Sequence, residues 1–369
     1  MLTQVAAHAE PRLSALRAHA YRIPTDQAEA DGTFSWDATV MILVEVDGGG
    51  CTGIGYTYAD ACLLPLLRQT LSHVVLGRNA FDIAGTWQAL QQCVRNLGRS
   101  GLAAMAISAV DTALWDLKAR LLDVPLARLL GMQRDTVPVY GSGGFTSYED
   151  ARLASQLAHW VDQGCKAVKM KIGSDAAQDP QRIAAARRAI GQAALFVDAN
   201  GAFTPAQAIA LMRRVERLDV SWFEEPVSSD DLDGLRRVRQ AARHGCEIAA
   251  GEYAFTLDDA RRLLASGAVD VLQADVSRCG GVTGFLRIAS LCDAFHVDLS
   301  GHCAPALHRH VACAASRVRH LEWFHDHVRI EHLLFDGAPQ LVSGAIAPDM
   351  SRPGHGLAFK CSDAKPYAL

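Results

Sequence analysis

Residues 195 to 252 read LFVDANGAFTPAQAIALMRRVERLDVSWFEEPVSSDDLDGLRRVRQAARHGCEIAAGE. Three short apolar runs, LFVDAN (195–200), VSWFEEP (220–226) and CEIAAGE (246–252), alternate with stretches of amphipathic helical character. Near-continuous apolar strands separated by helices indicate parallel pairing, because crossover helices cover both faces of the sheet. The rhythm extends outward in both directions. Upstream lie VPVYGS (137–142) and AVKMKIG (167–173); downstream lie VDVLQAD (269–275), HVDLSGH (296–302) and RHLEWF (319–324). Eight such units match a closed (β/α)8 barrel, although an open doubly wound sheet shows a similar rhythm.

The region before the barrel has a different texture. TVMILVEVDGGGCTGIGYTY (39–58) places two β-rich runs around Gly48, Gly49 and Gly50, the pattern of a hairpin. IPTDQAEADGTFSW (23–36) has turn formers and no periodicity, and reads as a loop. Helices are expected at 60–75, 81–96 and 101–122. The last carries Ala103, Ala106, Ile107, Val110, Leu114, Leu117 and Leu121 at helical spacing, with Gly131 beyond its end. The expected partition is an α+β capping domain over 1–134, the barrel over 135–340, and a segment over 341–369 that returns to the capping domain.

Charge and composition exclude several partners. The chain of 369 residues has 36 basic and 40 acidic side chains, so no basic field invites nucleic acid or an anionic membrane. Ten cysteines in this length do not make a disulfide scaffold; Cys246, Cys292 and Cys313 lie in apolar stretches where reduced thiols are ordinary. Met1 to Arg12 lacks the apolar core of a signal peptide, and no run is long enough to span a bilayer. A cytoplasmic address is expected. GSGGF (141–145) lacks the acidic partner and full spacing of a dinucleotide loop and fits a turn at the barrel mouth. The histidines of HRHVACAASRVRHLEWFHDH (308–327) match no zinc motif and read mostly as helix-surface or packing groups.

The informative feature is where charge appears. Asp198, Glu224 and Glu252 each end a successive strand, and strand C-termini converge on one mouth of a barrel. Three carboxylates meeting in a low-dielectric mouth repel unless a cation sits among them, and all-oxygen ligation suits one Mg²⁺, or Mn²⁺, better than Zn²⁺. Lys169 and Lys171, two apart on one strand, face the same mouth. Lysines beside each other and near a cation are expected to have depressed pKa values, so that one serves as a neutral base. Asp275 and His302, on neighbouring strand ends, suggest a carboxylate-supported histidine base. Glu322 on the eighth strand is a candidate electrophile or hydrogen-bond donor, if protonated.

With these residues in view, the chain resembles the enolase superfamily, and within it the mandelate racemase group of the mandelate racemase/muconate lactonizing enzyme family. The resemblance runs over nearly the whole chain, to the C-terminal PGHG (353–356). It implies Lys171 of KMK as a catalytic base, Asp198 of DAN, Glu224 of WFEEP and Glu252 of AGE as metal ligands, and Glu225 outside the ligand set. It implies Asn200 as a contact to a substrate hydroxyl, Asp275 as partner of a second base His302, and Glu322 and Lys169 beside the substrate carboxylate. Arg278 stands where mandelate racemase itself carries lysine, which counts against that identity and makes Arg278 a substrate-binding candidate. The segment near 24–36 resembles the family's mobile specificity loop.

The expected reaction is removal of the proton beside the carboxylate of a small substrate through an enediolate. Dehydration of a sugar acid to a 2-keto-3-deoxy acid is the leading reading. Racemisation of a 2-hydroxy acid by two opposed bases is the alternative, and a non-catalytic metal-binding scaffold is a distant third. A helix-covered barrel with a cap is expected to form homo-oligomers.

Overall fold

The computed structural model describes residues 10–243 and 245–369. Most of the stretch on which the absence of a leader was argued, residues 1–9, lies outside the described residues. Strands β1 (Leu13–Ala30), β2 (Ser35–Gly48) and β3 (Cys51–Tyr58) form an antiparallel sheet in that order. The β2–β3 hairpin turns at Gly49 and Gly50, whose φ values of 59° and 83° are the left-handed conformation that such a turn requires. A helical run over 63–75, wound as a π turn at Leu66–Leu71, precedes α1 (Ile83–Cys93) and the long α2 (Leu102–Leu121). The spacing read in the sequence works as expected: Ala103, Ala106, Ile107, Val110, Leu114 and Leu117 are all buried with Ile42, Val44 and Val46 in one apolar cluster.

The 23–36 segment is not a loop. β1 continues through it to Ala30 and β2 resumes at Ser35, with a register shift between Pro24 and Glu29. That irregularity breaks the alternation a sequence reading depends on. The turn is closed by Asp31, whose Oδ1 accepts from the backbone N–H groups of Thr33 (2.6 Å) and Phe34 (2.7 Å).

The second unit is a barrel. Strands β4 (Val137–Gly143), β5 (Ala167–Lys171), β6 (Ala194–Asp198), β7 (Val220–Glu224), β8 (Glu247–Ala250), β9 (Val271–Ala274), β10 (Asp298–Gly301) and β11 (Val318–Phe324) pair in parallel in sequence order, and β11 closes on β4. The open-sheet alternative is excluded by that closure. Inside, Tyr140, Phe196, Trp222 and His320 pack on one another as an aromatic floor. Polar side chains toward the strands' C-terminal ends stand above it.

After β12 (Phe335–Asp336), β13 (Ala345–Ile346) pairs antiparallel with β4 at Pro138 and Val137, and β14 (Ala358–Phe359) pairs with β12. His355 then contacts the capping unit: its N–H donates to Asp116 (2.8 Å), and its Nε2 lies 2.8 Å from the Ile54 carbonyl. All ten cysteines are free thiols. Among the described residues, no helix is long and apolar enough to cross a membrane.

Candidate active site

Register explains the convergence. In the parallel ladder Lys171 lies level with Asp198, and Asp198 level with Glu224, so three charged side chains reach one height of the mouth. Asp198, Glu224 and Glu252 each offer a carboxylate oxygen within 4.8 Å of the others, all three residues being buried. Trp222 Nε1 steadies Glu224 at 3.0 Å, and the Asn200 N–H donates to Asp198 at 2.9 Å. Lys171 Nζ lies 2.5 Å from Asp198. Lys169 Nζ lies 2.5 Å from Glu224, 2.8 Å from Glu322 and 3.4 Å from Asp198, over the Tyr140 ring. Glu225, though buried, stays outside the three-acid cluster.

The chain's own groups raise both lysine pKa values, whereas the expected depression counted a cation beside them. Burial is the largest influence and disfavours both ammonium ions, but the acids packed around them outweigh it. Glu224 and Glu322 hold Lys169 well above its ordinary range, and Asp198 raises Lys171. The sequence reading weighed each lysine against the other and against a cation; the acids facing them act in the opposite direction.

The cluster nonetheless retains unbalanced negative charge. Burial and the Asp198 carboxylate push Glu224 up to about 8 even with Lys169 in contact, and Glu252 Oε2 is buried with His302 Nε2 at 3.3 Å beside it. An all-oxygen donor set of three buried carboxylates with excess negative charge fits a hard divalent cation, Mg²⁺ or Mn²⁺. Asp198, Glu224 and Glu252 are the residues that would hold one ion.

The opposite edge is built on β9, β10 and β11. His302 Nδ1 meets Asp275 Oδ2 at 2.9 Å, while its Nε2 faces Glu252 at 3.3 Å and Glu322 at 3.7 Å. Burial works against the imidazolium, but Cys303, the Glu252 and Glu322 carboxylates and the Asp275 hydrogen bond together raise its pKa well above the usual value. Asp275 is held low by His302 and Arg278 in spite of burial. Arg278 Nη1 also reaches the Glu252 carbonyl at 3.3 Å and its guanidinium lies over Tyr253.

Glu322, read as a donor if protonated, is drawn toward its ionised form by its neighbours. Against the cost of burial, Lys169 and His302 hold it low, and it accepts from Ser142 Oγ (2.6 Å) and the Cys303 N–H (3.1 Å). Asn200, Glu225, Cys303 and Ala304 all have φ between 36° and 50°, so non-glycine residues are held in the left-handed region around this mouth. Each costs roughly 1–3 kcal/mol, a strain that clusters at functional sites.

A cavity of about 460 Å³ opens above these groups. The barrel contributes Lys171, Asn200, Glu252, Arg278, His302 and Glu322, which the sequence pointed to, and Tyr253, Cys303 and His327, which it did not. The capping sheet supplies Asp31, Phe34, Trp36, Thr39, Tyr58 and Asp60. Of these the sequence singled out only the segment near 24–36; hairpin side chains become cavity walls through docking, which local pattern does not report. Cys303 had a signal, its place beside His302. The remaining histidines of 308–327 are chiefly packing groups: His308 Nε2, His310 Nδ1 and His327 Nδ1 accept from the backbone N–H of Val276, Ala127 and Ala304.

Two family models match, Mandelate racemase / muconate lactonizing enzyme, N-terminal domain over 20–131 and Enolase C-terminal domain-like over 152–364. The chain belongs to the mandelate racemase/muconate lactonizing enzyme family of the enolase superfamily. It is 34% identical over 351 residues to a 3,6-anhydro-alpha-L-galactonate cycloisomerase of Streptomyces coelicolor, covering 93% of this chain and 95% of the relative. It is 31% identical to an L-talarate/galactarate dehydratase of Salmonella typhimurium, covering 88% and 81%. The crystal structure of a racemase from Streptomyces coelicolor with bound magnesium superposes with a TM-score of 0.91 at 32% identity, covering 97% of this chain and 100% of that one.

Proposed function

We propose that this protein is a Mg²⁺-dependent dehydratase of a sugar acid. Supporting this is one arrangement: Lys171 and the His302–Asp275 pair stand on opposite sides of the three-carboxylate cluster, within one polar cavity. Bound at Asp198, Glu224 and Glu252, Mg²⁺ supplies positive charge against the carboxylate oxygens on which charge grows as the α-C–H bond breaks.

The chain's own residues do the rest. With Asp198 committed to the cation, Lys171 would lose the partner that favours its ammonium form; as the neutral amine it takes the α-proton, and the C–H electron pair moves into the enediolate. Lys169 donates to the same oxygens, with Glu322 and Ser142 fixing its direction. His302, as imidazolium, gives its Nε2 proton to the β-hydroxyl, which leaves as water. Asp275 holds the ring through Nδ1 and stabilises its charged form. The resulting enol tautomerises to the 2-keto-3-deoxy acid. Asn200, whose Oδ1 is buried and without a partner, is suited to accept from a substrate hydroxyl, and Arg278 to meet a second polar group.

The sequence relatives favour sugar acids; their named activities include a dehydratase and a cycloisomerase. The two opposed bases also favour a second reading, racemisation, in which the far base returns a proton with inversion. Incubation with aldonic and aldaric acids and Mg²⁺ separates the readings. A 2-keto-3-deoxy product supports dehydration; solvent deuterium at the α-carbon without keto acid supports racemisation; neither result on a broad panel overturns both. Self-association is part of the proposal, and light scattering of the purified chain tests it.

A further inference from the structure

One group in the cavity has no part in that mechanism. Cys303 follows His302 directly, and its left-handed backbone turns the thiol back toward the cavity. Its Sγ lies 3.4 Å from His302 Nε2 and 3.5 Å from Glu322 Oε2, and those two atoms are 3.7 Å apart. All three side chains are buried. Donors at about 2.0–2.1 Å (N), 2.0–2.2 Å (O) and 2.3 Å (S) from a tetrahedral zinc ion stand roughly 3.3–3.6 Å from one another. The observed triangle has those edges within a few tenths of an ångström.

The surroundings are those of a metal-binding histidine. Asp275 at Nδ1 fixes the ring so that Nε2, on giving up its proton, offers its lone pair beside the thiol, the carboxylate–histidine support that recurs around zinc. Glu322 is anchored through its other oxygen by Lys169 and Ser142, so Oε2 is presented in a fixed place. The cavity leaves a fourth position open. Asp198, Glu224 and Glu252 offer oxygen alone, the preference of Mg²⁺, whereas a set of nitrogen, sulfur and oxygen selects a softer ion.

We propose that His302, Cys303 and Glu322 form a second, soft-metal site that binds Zn²⁺ or Cd²⁺ within the active cavity and blocks turnover of the Mg²⁺-loaded enzyme. The binding claim stands without the proposed reaction. The inhibition rests on it, because His302 is then no longer free to move a proton.

The test separates the two. In a Cys62→Ser/Cys361→Ser background, which removes the exposed thiols, Cd²⁺ added to the Mg²⁺-loaded protein is followed by thiolate-to-metal ultraviolet absorption. One ion per chain is expected. Cys303→Ser abolishes the band, and Asp275→Asn weakens binding by about tenfold or more. On the unmutated protein, Zn²⁺ but not Mg²⁺ protects Cys303 from iodoacetamide, read by mass spectrometry, so the claim does not depend on a variant folding. A full-strength band in Cys303→Ser, unchanged affinity in Asp275→Asn, or no protection by Zn²⁺ overturns the site. Binding with no inhibition leaves the site standing and removes His302 from the proposed reaction.

Discussion

Substituting Gly32 by alanine isolates how the capping hairpin closes the cavity. Gly32 is not among the positive-φ residues, so alanine suits its backbone and only space is at issue. A Cβ there meets the Ala199 carbonyl oxygen at 2.4 Å and the Ile172 carbonyl oxygen at 2.6 Å, both on barrel backbone beyond β6 and β5. Neither neighbour is the end of a flexible side chain, so the hairpin tip must lift. Overpacking of this kind costs about 1–3 kcal/mol, which raises the tip's opening constant roughly 5- to 150-fold. Opening breaks the bonds from Thr146 N to Ala30 O (2.8 Å), Thr146 Oγ1 to Asp31 O (2.7 Å) and Ser147 Oγ to Ala28 O (2.8 Å). It also withdraws Asp31, Phe34 and Trp36 from the cavity wall. The assay pairs kcat/KM on the best acid from the panel with hydrogen exchange at the Asp31 and Thr146 amides. Both are expected to change, while Tm moves little because the opening is local. Wild-type kcat/KM together with wild-type protection at Thr146 would refute the docking argument.

Replacing Lys171 by alanine is expected to lower kcat by about 10²–10⁴-fold, the usual contribution of a positioned base; unchanged turnover removes it from that role. His302→Asn is expected to spare Mg²⁺ binding, measured by calorimetry, while abolishing dehydration. Chelation is expected to erase activity and Mg²⁺ or Mn²⁺ to restore it; at a hundredfold excess over Kd the ion adds about 2.7 kcal/mol of stability, visible as a higher Tm. Burial pushes Glu331, which accepts from Tyr56 Oη–H and the Ala306 N–H, up to about 8. The folded state therefore keeps a proton that the unfolded chain loses above 4.5, so this group's stabilisation is full below 4.5 and is lost as pH rises to 8. Glu331→Gln is expected to flatten the fall of Tm over that window; an unaltered slope contradicts the assignment.

The barrel was legible because its strands declare themselves twice, as apolar runs and as runs ending in charge. Asp198 and Glu224 end successive strands and parallel register brings them level, while Glu252 follows two residues beyond the end of β8, whose Ala249 is level with Glu224. The residues from 23 to 36 were not legible. Their strand pairing is interrupted where β1 shifts register, and the tip's fit depends on Ile172 and Ala199, carbonyls distant in sequence. The capping side chains that wall the cavity were hidden for the same reason.

Residue positions and protonation states were not equally readable. The sequence placed Lys169, Lys171 and Glu322 on strands facing one mouth, which alternation alone determines. It could not give the sign of their pKa shifts, because that sign is a difference between two large effects. Burial drives a buried lysine toward neutrality and a buried carboxyl toward its acid form; partners at 2.5 to 2.8 Å reverse both. The ammonium form of Lys169 and the carboxylate form of Glu322 are both favoured because each supplies what the other's burial demands. Glu224, facing the same lysine but also Asp198, is pushed the other way. Which acid carries the unmet charge is therefore decided by angstroms across strands, and that unmet charge is the strongest physical argument for a cation at this mouth.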